Sequence, residues 1–258
     1  RLLLSRATAP KGEPKGESLI SRRVGRLFAM GDVKSATRLL KSAPSQLVEE
    51  RLTRVRVESL FFGNDNSGAC SQVRSHIRQF QGTYWQQAMA FCLALAGEHA
   101  KAAMVADILA EREGAANPSF FTAMEALSGV RNATIESLAN PGALQISMLR
   151  AANLRLPADV AAADRPSILR AAALSPNAEL DLRLDAAERA EQYGVLTVAE
   201  LAELYAAVPF EKAELDAPLT AAEAKWGPRG RALLLRAAAL HDVPTARAEV
   251  LQRAYRLG

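Results

Sequence analysis

The sequence predicts an all-α chain, a right-handed α-solenoid of helix-turn-helix repeats with no sheet, on three observations. Four Gly-centred turns recur almost evenly, at Met30-Gly31-Asp32, Phe62-Gly63-Asn64, Ala96-Gly97-Glu98 and Ser128-Gly129-Val130. Successive glycines are 32, 34 and 32 residues apart, the period of a helical repeat that stacks on its neighbours. Between the turns, apolar residues fall at helical rather than strand spacing. Ala, Leu, Arg and Glu dominate, all of them good helix formers, and no window alternates Val, Ile and Thr as a strand would.

The elements follow in order. In the first unit Ile20, Val24, Leu27 and Phe28 line one helical face before Gly31, and Val33, Ala36, Leu39 and Leu40 line another after it. The second unit places Leu47, Leu52, Val55, Val57, Leu60 and Phe61 before Gly63, then Ala69, Val73 and Ile77. The third has Trp85, Met89, Cys92, Leu93 and Leu95 before Gly97, then Ala102, Val105, Ile108 and Leu109. In the fourth, Phe120, Phe121, Met124 and Leu127 lead to Gly129, and Ile135 and Leu138 predict a second helix that stops at Asn140-Pro141-Gly142. A single pair of this kind cannot bury both of its stripes, so four in a row favour stacking.

This plan resembles the tetratricopeptide class, in which an A helix, a Gly-containing turn and a B helix with a small residue pack closely. Ala36 and Ala102 stand five residues after Gly31 and Gly97, whereas Ala69 and Ala133 stand six and four after Gly63 and Gly129. The resemblance covers roughly residues 17–141 and implies a concave surface that binds a protein or peptide. Phe61, Phe62, Tyr84, Trp85, Phe120 and Phe121 are the candidates for that surface, with core packing as the competing duty.

Residues 142–258 form a second, Ala/Leu-rich helical region. Leu149-Arg150-Ala151-Ala152-Asn153-Leu154, Leu169-Arg170-Ala171-Ala172-Ala173-Leu174 and Leu235-Arg236-Ala237-Ala238-Ala239-Leu240 are variants of one hexapeptide. Long helices are expected over Ala178–Tyr193 and Thr245–Tyr255, opened by Ser175-Pro176 and Asp242-Val243-Pro244. An Ala stripe flanked by Leu permits close helix approach and leaves the Arg outside.

Composition sets the remaining bounds. The chain has 258 residues, 49% of them hydrophobic, enough for one extended array or two helical domains. No apolar run approaches the ~18 residues of a membrane span. Residues 1–16, rich in Pro, Gly and charge, are expected to be a linker, and the opening Arg points to a fragment or processed product. Residues 1–82 hold 15 Lys and Arg against 7 Asp and Glu, while residues 83–258 hold 17 against 21. A basic N-terminal third suits an anionic partner or a merely solvated helix surface.

The two cysteines occupy matched places. Cys70 opens the second B helix and Cys92 closes the third A helix, and their midpoint falls on the turn Gln81-Gly82-Thr83. In an antiparallel hairpin they therefore lie opposite one another, as a disulfide or as two buried thiols. A disulfide implies an oxidising compartment such as a bacterial periplasm; free thiols would return the chain to the cytoplasm.

The stretch Tyr84-Trp85, Phe91-Cys92, Leu95-Ala96-Gly97-Glu98, Ala102-Ala103 and Phe120-Phe121 also resembles predicted secreted helical-repeat proteins of alphaproteobacteria, a family without an established activity. That resemblance implies export and an envelope role. No phosphate-cradling Gly loop, nucleophile elbow or zinc-binding His-Glu-x-x-His helix occurs. His76, His99 and His241 are scattered, and Glu49-Glu50 and Glu188 with Glu191 read as solvated helix faces. The expectation is a non-catalytic interaction scaffold without cofactor or metal, in an envelope assembly such as a motor, pilus or secretion machine. One alternative is the superhelical part of a peptidoglycan-acting enzyme resembling lytic transglycosylases. An RNA-binding helical repeat is the other, disfavoured because no polar pair or aromatic platform recurs after the turns.

Overall fold

The computed structural model describes residues 16–44, 46–113, 117–240 and 242–257. The expected linker therefore lies outside the described residues except for Gly16, as does His241. The described residues form fifteen α-helices and one 3-10 turn, with no strand. They divide into two compact units, residues 1–171 and 172–258.

The first unit opens with three hairpins: α1 (Leu19–Ala29) with α2 (Val33–Lys41), α3 (Glu50–Phe62) with α4 (Asn66–His76), and α5 (Thr83–Leu95) with α6 (His99–Glu113). Each is closed by the same turn. The residue after the helix cap is left-handed in Gly31 (φ 80°), Asn64 (φ 60°) and Gly97 (φ 76°), and again in Gly129 (φ 96°) after α7 (Pro118–Leu127). Its N–H bonds the carbonyl three residues back and the next N–H bonds the carbonyl five back, as in Gly31 to Phe28 and Asp32 to Leu27. These are Schellman caps, and they satisfy carbonyls that a helix end otherwise orphans.

The second turn hinges on Asn64 rather than on Gly63, whose φ is −75°. Asn tolerates the left-handed region because its short polar side chain can bond locally. The left-handed residues are thus spaced 33, 33 and 32 apart, more evenly than the glycines. In the first two turns the following residue is also the N-cap of the next helix. Asp32 accepts from the Ser35 N–H at 2.9 Å and Asp65 from the Gly68 N–H at 2.8 Å.

The fourth hairpin is not completed. Residues 130–142 contain no helix, so the B helix expected around Ile135 and Leu138 does not form. Val130 stands where the first two turns place a capping Asp, and Asn132 is itself left-handed (φ 62°). Leu138 is buried nonetheless, its N–H held by both Asp159 carboxylate oxygens at 3.0 Å, beside Ser137 Oγ donating to Asp159 Oδ2 at 2.7 Å.

Helix α8 (Ala143–Ala151) then packs on α7 and returns to α3. Ser147 Oγ donates to the Phe61 carbonyl at 3.0 Å, a fully buried bond, and Arg150 Nη1 donates to Asn64 Oδ1 at 3.2 Å. A regular array stacks each unit only on its neighbours, so this contact of α8, from the second sequence region, with the second hairpin departs from the expected plan. It also places residues 142–171, including the 3-10 turn Ala158–Ala162 and most of α9 (Pro166–Ala173), in the first unit.

The second unit holds α10 (Leu180–Gln192), α11 (Val198–Ala206), α12 (Lys212–Asp216), α13 (Pro218–Ala224), α14 (Pro228–Leu240) and α15 (Pro244–Leu257). Proline at the first position of α13, α14 and α15 fixes φ where its missing N–H is no loss. Helix α14 is the hub, packing on α10, α11, α13 and α15. It buries Gly230, where an added Cβ would stand 3.3 Å from the Lys225 carbonyl oxygen and from Trp226 Cε3. The hexapeptide copies fall near the C-terminal ends of α8, α9 and α14, yet Leu149 and Leu169 are buried while Leu235 is exposed. The echo in sequence is therefore not an echo in burial.

Candidate functional site

The most heavily tied part of the first unit is the α4–α5 hairpin. Cys70 and Cys92 stand at disulfide distance across it, with Cα atoms 5.4 Å apart. Both sulfurs belong to buried residues. Closing a loop of that length stabilises by about 3 kcal/mol in the chain-entropy model. Two sets of rings pack here: Phe80 to Trp85 at 5.2 Å with Trp85 to Tyr84 at 5.4 Å, and separately Phe61 to Phe91 at 5.7 Å between centroids. Trp85 Nε1 donates to Glu50 Oε1 at 2.9 Å, which ties α5 to the start of α3.

This geometry sorts the six aromatic candidates. Phe61, Trp85 and Phe120 are fully buried and present no surface to a partner. Their duty is packing, because each lies on the apolar stripe that faces the neighbouring helices. Phe62 is half-buried against Phe28, 5.8 Å away, and Phe121 is half-buried beside Phe120, 5.2 Å away. No common exposed face gathers the six.

Tyr84 instead belongs to a polar cluster that spacing alone did not reveal. The Arg54 guanidinium lies 4.1 Å from the centroid of its ring, and Arg54 Nε donates to the buried Glu58 carboxylate at 2.9 Å, one turn along α3. The Tyr84 hydroxyl is buried and has no hydrogen-bond partner among the described residues. Burial pushes its pKa well above the usual phenol value; Glu58 adds to the rise and Arg54 opposes it. Arg165 feels the same charges. Burial lowers its pKa, and its Nη2 donates to the carbonyls of Asn140 (2.8 Å) and Pro141. Arg54 and Glu58, four residues apart, were the one legible signal of this cluster. That Tyr84 would cover the Arg depends on how α5 meets α3.

The second unit has its own clamp. Glu188 accepts from Tyr205 O–H and from Arg231 Nε at 2.7 Å, joining α10, α11 and α14. Burial raises the Tyr205 pKa, and its hydrogen bond to Glu188 raises it further; the same carboxylate raises that of Arg231. Arg231 also lies 5.4 Å from the Trp226 centroid, and Arg229 lies 4.9 Å from that of Phe210 while pairing with Glu214 at 3.1 Å. Every member of these clamps is engaged within the protein.

The exposed chemistry lies elsewhere. On α6, Met104 is 65% exposed and Ile108, one turn later, 49%, while Ala102, Ala106 and Leu109 of the same helix are buried. Leu95, at the end of α5, is also exposed. No group of three or more His, Cys, Asp or Glu among the described residues is placed to hold a metal ion. No described helix is long and apolar enough to cross a membrane. The chain matches no family model, no curated protein and no solved structure.

Proposed function

We propose that the chain is a non-catalytic interaction scaffold of a bacterial cell-envelope assembly, working in an oxidising compartment such as the periplasm. Its first three hairpins are read as a short, divergent tetratricopeptide-like solenoid, the arrangement that the evenly spaced Schellman turns support. One observation carries the binding role. Met104 and Ile108, one turn apart on α6, form an exposed apolar pair, the element from which a contiguous contact patch is built. Met adds adaptable packing at such a surface.

The Cys70–Cys92 pair supports the compartment. A buried pair at disulfide distance is favoured where proteins are oxidised and is uncommon among cytosolic proteins. The aromatic residues first expected on the partner face are replaced in this reading by the aliphatic pair on α6.

The test is site-specific photocrosslinking in living cells. A photoreactive residue at Ile108 is expected to give one discrete adduct, lost on Met104→Asp. The same residue at the exposed Gln192 of α10 serves as the control. Adducts that are diffuse, or equal at both positions, would defeat the binding role. Alkylation of both cysteines in unreduced protein from its native compartment would defeat the localisation.

A further inference from the structure

The α1–α2 hairpin carries a charge that the described residues do not use. Arg22 and Arg26 on α1, and Lys34, Arg38 and Lys41 on α2, are all exposed. Neither helix contains an Asp or Glu. The one acid between them, Asp32, is spent capping α2. Among the described residues none of the five cations is ion-paired, whereas Arg51 and Arg54 on the adjoining α3 are paired with Glu17 and Glu58 at 2.9 Å. Unlike those arginines, the five carry charge that no described acid neutralises.

Their spacing gives each helix a basic stripe. Lys34, Arg38 and Lys41 fall four and three residues apart, on one side of α2. Leu19, Arg22, Arg26 and Met30 fall three, four and four apart along α1 and its cap, so two aliphatic side chains bracket the arginines. Leu19 is 55% exposed and Met30 59%. The opposite side of α1 is the core side, burying Val24, Leu27 and Phe28.

We infer that this hairpin docks, by the α1 stripe, on the surface of an anionic phospholipid bilayer. A row of cations bracketed by short aliphatic chains suits the boundary between headgroups and acyl chains, where cations meet phosphates and the aliphatic ends enter the apolar edge. A single-stranded nucleic acid would instead call for exposed rings on which bases stack. The rings here are turned the other way: Phe28 is buried, and Phe62 packs on it at 5.8 Å. The contact is peripheral and lies on different helices from the apolar pair of α6. It does not depend on the scaffold reading.

The experiment is co-flotation of the full chain with vesicles at ~0.1 M salt, where a Debye length of about 10 Å leaves surface charges effective. Binding is expected to vesicles containing phosphatidylglycerol and not to pure phosphatidylcholine, and to weaken steeply as salt rises. At about 1 kcal/mol for each cation at the surface, Arg22→Gln with Arg26→Gln is expected to lower partitioning roughly 30-fold. Leu19→Ser with Met30→Ser should lower it several-fold while leaving the salt dependence unchanged. All four positions are exposed, so circular dichroism is expected to show each variant folded. Equal binding to neutral vesicles, retention of binding by the Arg22→Gln/Arg26→Gln variant, or preference for a single-stranded RNA over the anionic vesicle would each overturn the inference.

Discussion

The two units of this chain solve the same packing problem with different materials. The first fills its core with rings, burying Phe61, Trp85, Phe91 and Phe120, and fastens two helices through Cys70 and Cys92. In the second, the buried apolar side chains among the described residues are Ala, Leu and Val. Of its rings, Tyr193 and Tyr255 are exposed, while Tyr205, Phe210 and Trp226 stay half-buried and each meets an arginine or a carboxylate. Large rings fix a few positions at high cost per residue. Small side chains let helices approach closely, and specificity then falls to polar clamps at the rim.

The largest expected effect tests the ring-filled core. Trp85→Ala removes a fully buried ring and leaves Glu50 without its indole donor. It is expected to cost about 3–5 kcal/mol. Denaturant unfolding followed by amide exchange should show the loss in α3 and α5. A cost below ~1 kcal/mol would mean that the Trp85 ring is not an organising contact of the first unit.

Next comes the covalent link. Changing Cys70 and Cys92 together to Ala is expected to lower stability by about 3 kcal/mol, through freedom regained by the unfolded chain. Because both residues are buried, reduction of the folded protein should be slow and should track opening of the α4–α5 hairpin. Fast reduction under native conditions would contradict the burial.

Where the chain was legible, a local rule was in force. The turns were readable because a left-handed residue is locally demanded, and Gly31, Gly97 and Gly129 supply it. Reading glycine alone misplaced the second hinge by one residue, since Asn64 can do the same work. The cysteine pair was readable because hairpin symmetry places its members opposite each other. Beyond local rules the sequence said less. The apolar Ile135 and Leu138 suggested a fourth B helix, but Asp159, 21 residues downstream of Leu138, holds the Leu138 N–H in place of a helix carbonyl. The aromatic candidates were divided by burial, and whether a ring on a helix faces core or solvent is set by neighbours that only tertiary structure supplies. The α6 pair was written into the apolar stripe of the third unit through Ile108. Its exposure follows from packing that leaves that side of the helix uncovered.

The two half-buried tyrosines, Tyr84 and Tyr205, give the finest test of the contrast, because the same substitution should act in opposite directions. Tyr205 donates to Glu188, whose carboxylate is 15% exposed, while Arg231 beside it is 34% exposed. Tyr205→Phe deletes a charge-assisted bond and is expected to cost roughly 1 kcal/mol after solvent screening. Tyr84→Phe deletes a buried hydroxyl that has no partner among the described residues, so stability should hold or rise by up to ~1 kcal/mol. Both phenols have folded pKa values raised above the unfolded value of about 10, chiefly by burial. The folded chain therefore keeps these protons at a pH where the unfolded chain has begun to lose them. Their contribution is complete below pH ~10 and is lost as pH rises toward the folded values. Each Phe variant should flatten the alkaline fall in stability measured by urea unfolding between about pH 9 and 11. A wild-type profile that stays flat across that range would show that neither phenol is held in its neutral form by the fold.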